Sequence, residues 1–257
     1  MSASSRVCIG KIPVDRVSLD DVLRLVSDAL TSRTPKTFFY ANAHAITLAE
    51  GDPEFTRAME RADAVFCDGF GVYLASRVLG ASLPQRFTPP DWIDRLGTAC
   101  GSLGVSMFFL GAREGVAEEA ARRVKGRVHG LEVYAHHGHF PKDSDSSRRV
   151  IEFVNKTGAS VLLVGFGMPL QEEWIMAHRA ELTPILVISV GGMFDLVAEA
   201  LPRGPRWLTD HGLEWLTRLM IEPRRLWRRY LLGLPEFAFL IARQKLSGRP
   251  ALPAKSR

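Results

Sequence analysis

Asp68 closes the run Ala64-Val65-Phe66-Cys67-Asp68-Gly69, in which four apolar residues lead straight into a carboxylate and a glycine. A carboxylate at the end of a buried strand can act as general base toward a sugar or other hydroxyl once burial or neighbours tune its pKa. Asp-Gly also makes tight turns, and on residue type alone both readings stand. Asp195, in Gly191-Gly192-Met193-Phe194-Asp195, follows another apolar run and either caps a helix or reaches a ligand. Gln171 and Glu172 fall just after Gly165-Phe166-Gly167-Met168-Pro169, in the first turn of an expected helix. Glutamine there can hydrogen-bond a ligand and glutamate complements the positive helix end, although both can be purely structural. His136, His137 and His139 invite a metal reading, yet no carboxylate or cysteine accompanies them at a typical ligand spacing. They read better as a polar loop, and no metal is expected.

These residues are punctuation in an alternating pattern. Strands are expected at Phe38–Ala41, Ala64–Cys67, Val105–Leu110, Leu131–Tyr134, Val161–Val164 and Ile185–Val190. Helical patterns fall between them: Leu19–Leu30, Ala43–Glu50, Pro53–Arg61, Val72–Leu79, Gly115–Arg127 and Ser144–Lys156. Pro84–Pro90 reads as a loop, with Asp91 capping a helix over Trp92–Cys100. Uninterrupted apolar strands that alternate with helices imply βαβ crossovers and burial on both faces. The expected fold is therefore α/β: an open, mostly parallel, Rossmann-like sheet with helices on both faces over residues 1–202.

In such sheets ligands bind at the carboxyl ends of the strands. Four of five strand ends carry glycine (Gly69, Gly111, Gly165 with Gly167, and Gly191 with Gly192). Glycine lets backbone approach a ligand, and the following helix offers free N–H groups to phosphate, although any one glycine can simply make a βα turn. Together they favour a phosphorylated ligand. Gly165-Phe166-Gly167 lacks the third small residue of G-x-G-x-x-G, and no G-x-x-x-x-G-K-[ST] is present, so neither a nicotinamide oxidoreductase nor a P-loop enzyme is supported.

The 257 residues carry 33 Lys+Arg against 28 Asp+Glu, a net charge of +5 that is unevenly distributed. Residues 203–257 hold 12 basic and 4 acidic side chains, so the rest of the chain is slightly acidic. That segment reads as helices over Leu208–Met220, Leu226–Leu232 and Pro235–Leu246, with a separation at Gly233-Leu234. Arginines 206, 218, 224, 225, 228 and 229 lie among Trp207, Trp215, Trp227 and several leucines. Arginine with tryptophan and leucine on amphipathic helices suits an anionic membrane surface, and no nucleic-acid module is recognisable. Residues 203–257 are expected to form a basic helical appendage. The longest run free of Asp, Glu, Lys and Arg, Leu96 to Ala112, falls short of a membrane span. Three cysteines without C-x-x-C spacing, and no apolar leader after Met1, suit a reducing compartment. The expected location is cytoplasmic and peripheral to the inner face of the membrane.

Taken in order and spacing, these blocks resemble the WecG/TagA/CpsF family of bacterial glycosyltransferases, glycosyltransferase family 26. The resemblance covers about Phe38 to Tyr230. It rests on Asp52-Pro53-Glu54-Phe55, on Ala62–Gly69, and on Gly165-Phe166-Gly167-Met168-Pro169-Leu170-Gln171-Glu172, which matches G-x-G-x-P-x-Q-E. It rests further on Val190–Asp195, with Ser189 in place of a glycine, on Pro205-Arg206-Trp207, on Gly212–Trp215 and on Glu222–Tyr230.

The resemblance implies an inverting, metal-independent transfer, without cofactor, from a UDP-sugar to a polyprenyl-diphosphate-linked saccharide. The sugar would be N-acetylmannosamine, its uronic acid or glucose. The family's base maps to Asp68 and its glutamine to Gln171. Gly69, Gly165, Gly167, Gly191, Gly192 and Asp195 fall in the matching blocks as substrate contacts. Arg218, Arg225 and Arg228 map to the arginines held to complete the site over the donor diphosphate. Two positions depart from the family pattern. Tyr40 stands before Ala41-Asn42 where the family commonly has threonine, which bears on the contacts of Tyr40 and Asn42. The family's T-G-x-D loop reads Thr88-Pro89-Pro90-Asp91, and Pro89 removes an amide donor near Asp91. A membrane-surface scaffold with a degenerate nucleotide-sugar site is the alternative, and self-association is left open.

Overall fold

The computed structural model describes residues 6–201 and 214–247. The chain divides into two compact units. The first comprises Met1–Ser18, Tyr40–Phe87 and Pro202–Arg257; the second comprises Leu19–Phe39 and Thr88–Leu201.

The apolar runs become the strands of one six-stranded parallel sheet: β3 (Lys36–Ala41), β4 (Ala64–Cys67), β5 (Met107–Gly111), β6 (Val133–His136), β7 (Val161–Gly165) and β8 (Leu186–Ser189). Their order is β4-β3-β8-β7-β5-β6. In the second unit, β5 and β7 run in register from Met107 opposite Val161 to Gly111 opposite Gly165, and β7 aligns Val161 with Leu186 of β8. The residues of β4, β5 and β8 are buried throughout, which is why the sequence shows unbroken apolar stretches there. The α/β expectation holds.

The second unit surrounds its strands with α1 (Leu19–Ser32), α5 (Pro89–Ser102), α6 (Val116–Arg127), α7 (Ser144–Lys156), α8 (Leu170–His178) and α9 (Met193–Val197). The start of α5 corrects the sequence reading. Thr88, not Asp91, is the N-cap, and Pro89 and Pro90 form the first helical turn. Amides at those positions would have no intrahelical acceptor, so proline is tolerated there. Asp91 sits at the third helical position, where its carboxylate accepts from the Thr88 hydroxyl (2.7 Å) and amide (3.4 Å).

In the first unit, a hairpin of β1 (Arg6–Ile9) and β2 (Ile12–Asp15), which the sequence did not announce, precedes α2 (Ala43–Gly51), α3 (Pro53–Arg61), β4 and α4 (Phe70–Val78). Asp15, almost fully buried, accepts from the Val65 amide (2.7 Å) and pairs with Arg6 (3.2 Å), tying the hairpin to β4. The described part of the C-terminal segment contains α10 (Glu214–Ile221), α11 (Pro223–Trp227), a π-helical turn (Arg228–Leu232) and α12 (Gly233–Leu246). The expected separation at Gly233 is absent: Gly233 is right-handed helical, and the π turn passes directly into α12. The expected helix residues 208–213 lie outside the described residues. Among the described residues, no helix is long and apolar enough to cross a membrane.

Candidate active site

In the first unit, Asp68 follows the last residue of β4 and is half-buried. Its amide donates to the Ala41 carbonyl at the end of β3 (2.9 Å), which fixes the two strand ends side by side. Gly69 then turns at φ +92°, a conformation that L side chains rarely adopt, and serves as N-cap of α4. A Cβ at Gly69 would lie 3.7 Å from the Cβ of Asn42. Asn42 is itself the N-cap of α2, its side-chain oxygen accepting from the Ala45 amide (3.1 Å). The loops after β3 and β4 thus bring Asn42, Asp68 and Gly69 together and open two helices beside them. Gly71, in the first turn of α4, lies close enough to α2 for a Cβ there to meet that of Ala43 at 3.4 Å. Tyr40 does not line this loop with an exposed ring. It is buried and tilts against Phe66, which stacks on Phe87 with ring centres 5.0 Å apart.

Two cations emerge that the sequence reading did not assign to the site. Arg86 acts electrostatically on Cys67, and the Phe87 amide beside it donates to the Cys67 carbonyl (3.1 Å). Burial pushes the Cys67 thiol well up, the Asp68 charge adds to this, and Arg86 opposes it. Arg229, in the π-helical turn, has its Nε buried without a hydrogen-bond partner. It acts on His44 of α2, whose pKa falls to about 4 through burial first and the neighbouring guanidinium second. A buried guanidinium nitrogen without an acceptor, next to a histidine held neutral, is an environment suited to an anion. Arg228 is exposed, with its guanidinium 5.3 Å from the Trp227 ring centre. The backbones of Arg218 and Arg225 lie on α10 and α11, and their side chains fall outside the described set.

In the second unit, the glycine-bearing ends of β5, β7 and β8 crowd one another. A Cβ on Gly165 would sit 2.6 Å from the Gly191 carbonyl oxygen and 2.8 Å from the Phe194 ring. Close approach at Gly165 therefore serves strand-end packing. Gln171 and Glu172 are completely buried. Gln171 Oε1 accepts from the amides of Gly167 (3.2 Å) and Gly191 (3.1 Å), so both amides point inward onto a side chain. Gln171 Nε2 donates to Glu172 Oε1 (2.7 Å). Glu172 is shifted up to about 8, burial being the main cause. Gly192 is the N-cap of α9, with the half-buried Asp195 three residues on; neither Asp195 nor Asp91 caps a helix as N-cap residue.

The histidine loop lines a cavity of about 260 Å³ with Phe140, Ser146, Arg149 and Phe153. His136 stacks on His137 at 4.4 Å, and Lys142 donates to the carbonyls of Gly138 and Phe140 while lying over the Phe140 and Phe166 rings. Among the described residues, no three His, Cys, Asp or Glu side chains converge closely enough to hold a metal ion.

The sequence profile of the Glycosyl transferase WecG/TagA/CpsF family matches residues 7–251. The chain belongs to this family. A Staphylococcus aureus relative named N-acetylglucosaminyldiphosphoundecaprenol N-acetyl-beta-D-mannosaminyltransferase is 25% identical over 246 residues, covering 95% of each chain. A Bacillus spizizenii relative of the same name is 28% identical over 200 residues, covering 77% of this chain and 76% of its own. The chain is thus a glycosyltransferase of the WecG/TagA/CpsF family with a Rossmann-like parallel sheet. Of its motif residues, the D-G pair stands exposed enough to meet a ligand, whereas the Q-E pair is wholly interior.

Proposed function

We propose that this glycosyltransferase moves a sugar from a UDP-sugar to a polyprenyl-diphosphate-linked saccharide, with inversion at the anomeric carbon and Asp68 as general base. The acceptor hydroxyl gives its proton to the Asp68 carboxylate while its oxygen bonds to the anomeric carbon. The bond from that carbon to the diphosphate oxygen breaks, and its electron pair leaves with UDP. The placement of Asp68 carries this reading: it is half-buried at the carboxyl end of β4, held by its own amide, beside Asn42 and the first turns of α2 and α4. Such a carboxylate reaches a bound hydroxyl without being sealed from it.

Charge develops on the departing UDP, and fixed cations stabilise it best when they are already in place. Arg218, Arg225 and Arg228 are assigned to the diphosphate, with Arg229 as the guanidinium whose buried nitrogen lacks an acceptor. Arginine holds phosphate oxygens bidentately and stays protonated, so this scheme calls for no metal ion. The relatives' names point to N-acetylglucosaminyldiphosphoundecaprenol as the acceptor and N-acetylmannosamine as the first sugar to try. A lipid acceptor places the enzyme at a membrane surface, on the inner face if the donor is cytoplasmic. The exposed Met220, Trp227, Leu231, Leu232 and Phe239, among Arg224, Arg228 and Arg243, suit that contact.

Purified protein, a panel of UDP-sugars and an N-acetylglucosaminyl-diphosphate lipid form the test. The expected result is transfer of one sugar with an inverted anomeric centre, undiminished by EDTA. No transfer from any donor, or abolition by EDTA with rescue by a divalent ion, overturns the proposal.

A further inference from the structure

The outward face of α4 is apolar, where a surface helix ordinarily presents polar side chains to water. Val72, Ala75 and Ser76 are buried on its inner side. On the opposite side Phe70, Leu74 and Val78 recur every four residues and are 37%, 43% and 51% exposed. Tyr73 and Arg77 close one edge of this stripe. The Arg77 guanidinium lies 4.7 Å from the Tyr73 ring centre and donates to its hydroxyl (2.5 Å). On the other edge Gly71 packs close to Ala43 and Phe237. Single exposed apolar side chains are ordinary, but three in line on one nine-residue helix form a patch that calls for an occupant.

The stripe begins at Phe70, two residues after Asp68, on the helix that the Asp68–Gly69 loop opens. At 1.5 Å per residue it runs for about 12 Å from that loop. Of the two proposed substrates only the acceptor has a long apolar part, and a UDP-sugar gains nothing from leucine and valine. Two other occupants fit less well. A second copy would need roughly 800 Å² from each partner, whereas a stripe about 12 Å long on a helix about 10 Å across offers about 120 Å². A helix lying in an anionic bilayer is rich in Lys and Arg along its polar face. α4 has Arg77 alone, and that guanidinium is turned onto Tyr73.

We propose that the outward face of α4 is the lipid subsite of the acceptor: Phe70, Leu74 and Val78 hold the first isoprene units of the polyprenyl chain while its sugar reaches Asp68. The stripe acts by taking apolar surface out of water. This subsite rests on the lipid acceptor of the reaction proposed above.

Two N-acetylglucosaminyl diphosphates, one carrying a farnesyl chain and one a methyl group, read the subsite in the full-length protein. They are compared on wild type and on the double variant Leu74→Gln/Val78→Gln. Glutamine keeps helix propensity at exposed positions, so the melting temperature should stay near wild type. Wild type is expected to have a KM about tenfold lower for the farnesyl acceptor than for the methyl one. The double variant should raise the farnesyl KM about tenfold, as expected when two aliphatic side chains no longer cover the chain. Its kcat, its methyl-acceptor KM, its UDP affinity and its cosedimentation with anionic vesicles should not change. A farnesyl chain bearing a diazirine supplies a readout without turnover: its light-induced adducts should map to α4 of the wild type.

Equal KM values for the two acceptors in wild type overturn the subsite. So does an equal rise for both in the variant, which is what a lost packing contact gives. Loss of vesicle binding in the variant would make α4 a bilayer contact, and a changed sedimentation coefficient a contact between copies; either result overturns the proposal. If the variant fails to fold, the adduct map on wild type decides. A wild type that transfers no sugar yet carries the adducts on α4 overturns the reaction and leaves the subsite standing, whereas adducts elsewhere overturn the subsite.

Discussion

Replacing Asp68 by asparagine separates the two readings of the Asp-Gly pair, because asparagine forms the same turns but cannot take a proton. Two backbone features help to build the loop: the Asp68 amide donating to the Ala41 carbonyl, and the Gly69 turn that opens α4. Neither depends on the carboxylate. The side chain is half-buried, so the exchange should change folding stability by no more than about 0.5 kcal/mol. In a protein of this size that is a shift of roughly 1–2 °C in Tm. Loss of a general base removes about 10²–10⁴-fold of rate, or roughly 3–5 kcal/mol of barrier lowering. UDP binding should be unchanged or slightly tighter, since one negative charge has left the neighbourhood of a diphosphate. Turnover is measured by product formation with the lipid acceptor, UDP affinity by calorimetry and Tm by scanning. Turnover above a tenth of wild type would remove Asp68 from the base role. A fall in UDP affinity as large as the fall in turnover would make it a structural residue.

Arg229→Ala should weaken UDP binding at least tenfold and let the His44 pKa rise from about 4 toward its ordinary value, followed by NMR; an unmoved His44 would refute the coupling. Glu172 keeps its proton up to about pH 8 when folded but only to about 4.5 when unfolded, so the native state binds the extra proton across that window and stability falls as pH rises through it. The slope approaches about 1.4 kcal/mol per pH unit and is cleanest above pH 6.5, where His44 contributes none; Glu172→Gln should flatten it in urea titrations, and equal slopes would count against the assignment. Gly165→Ala puts a methyl group 2.6 Å from the Gly191 oxygen and should destabilise the fold by about 1–3 kcal/mol, visible as a lower urea midpoint; no change would show that the strand ends are looser than described. Serine at Leu231, Leu232 and Phe239 together should reduce cosedimentation with anionic vesicles more than tenfold while leaving the melting temperature near wild type; undiminished binding would move the membrane contact elsewhere.

The strands were legible because burial on both faces writes itself as unbroken apolar residues, as at Ala64–Cys67 and Val161–Gly165. Asp68 was legible for the same reason: a charge directly after such a run has to mark the sheet edge. The hairpin Arg6–Asp15 was missed because its strands have only four residues each and contain Pro13. The start of α5 was misplaced because two prolines signal a break in a helix interior but none in its first turn. Gln171 was found by type and spacing, but nothing in a linear pattern says that its oxygen turns inward to Gly191. Arg229 was hidden among equals. Arg224, Arg225, Arg228 and Arg229 are interchangeable in composition; Arg228 and Arg229 open the same π-helical turn, and only the direction each takes from it encloses the Nε of Arg229 and leaves Arg228 exposed.

The charge imbalance that sets residues 203–257 apart invites removing them as an appendage, and the packing argues against that experiment. Phe237, Leu240 and Ile241 of α12 are buried, and Phe237 comes within 3.4 Å of where a Cβ on Gly71 would lie, two residues past the Asp68–Gly69 loop. Gln244 accepts from the Gly10 amide (2.8 Å) and donates to the Cys8 carbonyl (2.9 Å), while Arg243 pairs with Glu50 on α2 (3.3 Å). One face of α12 is thus core to the unit that carries Asp68, and the opposite face presents Phe239 and Leu246 to solvent. Truncation would uncover α2 and α4 and silence catalysis for reasons unrelated to lipid. Only substitutions confined to the outward face can separate membrane contact from the integrity of the catalytic loop.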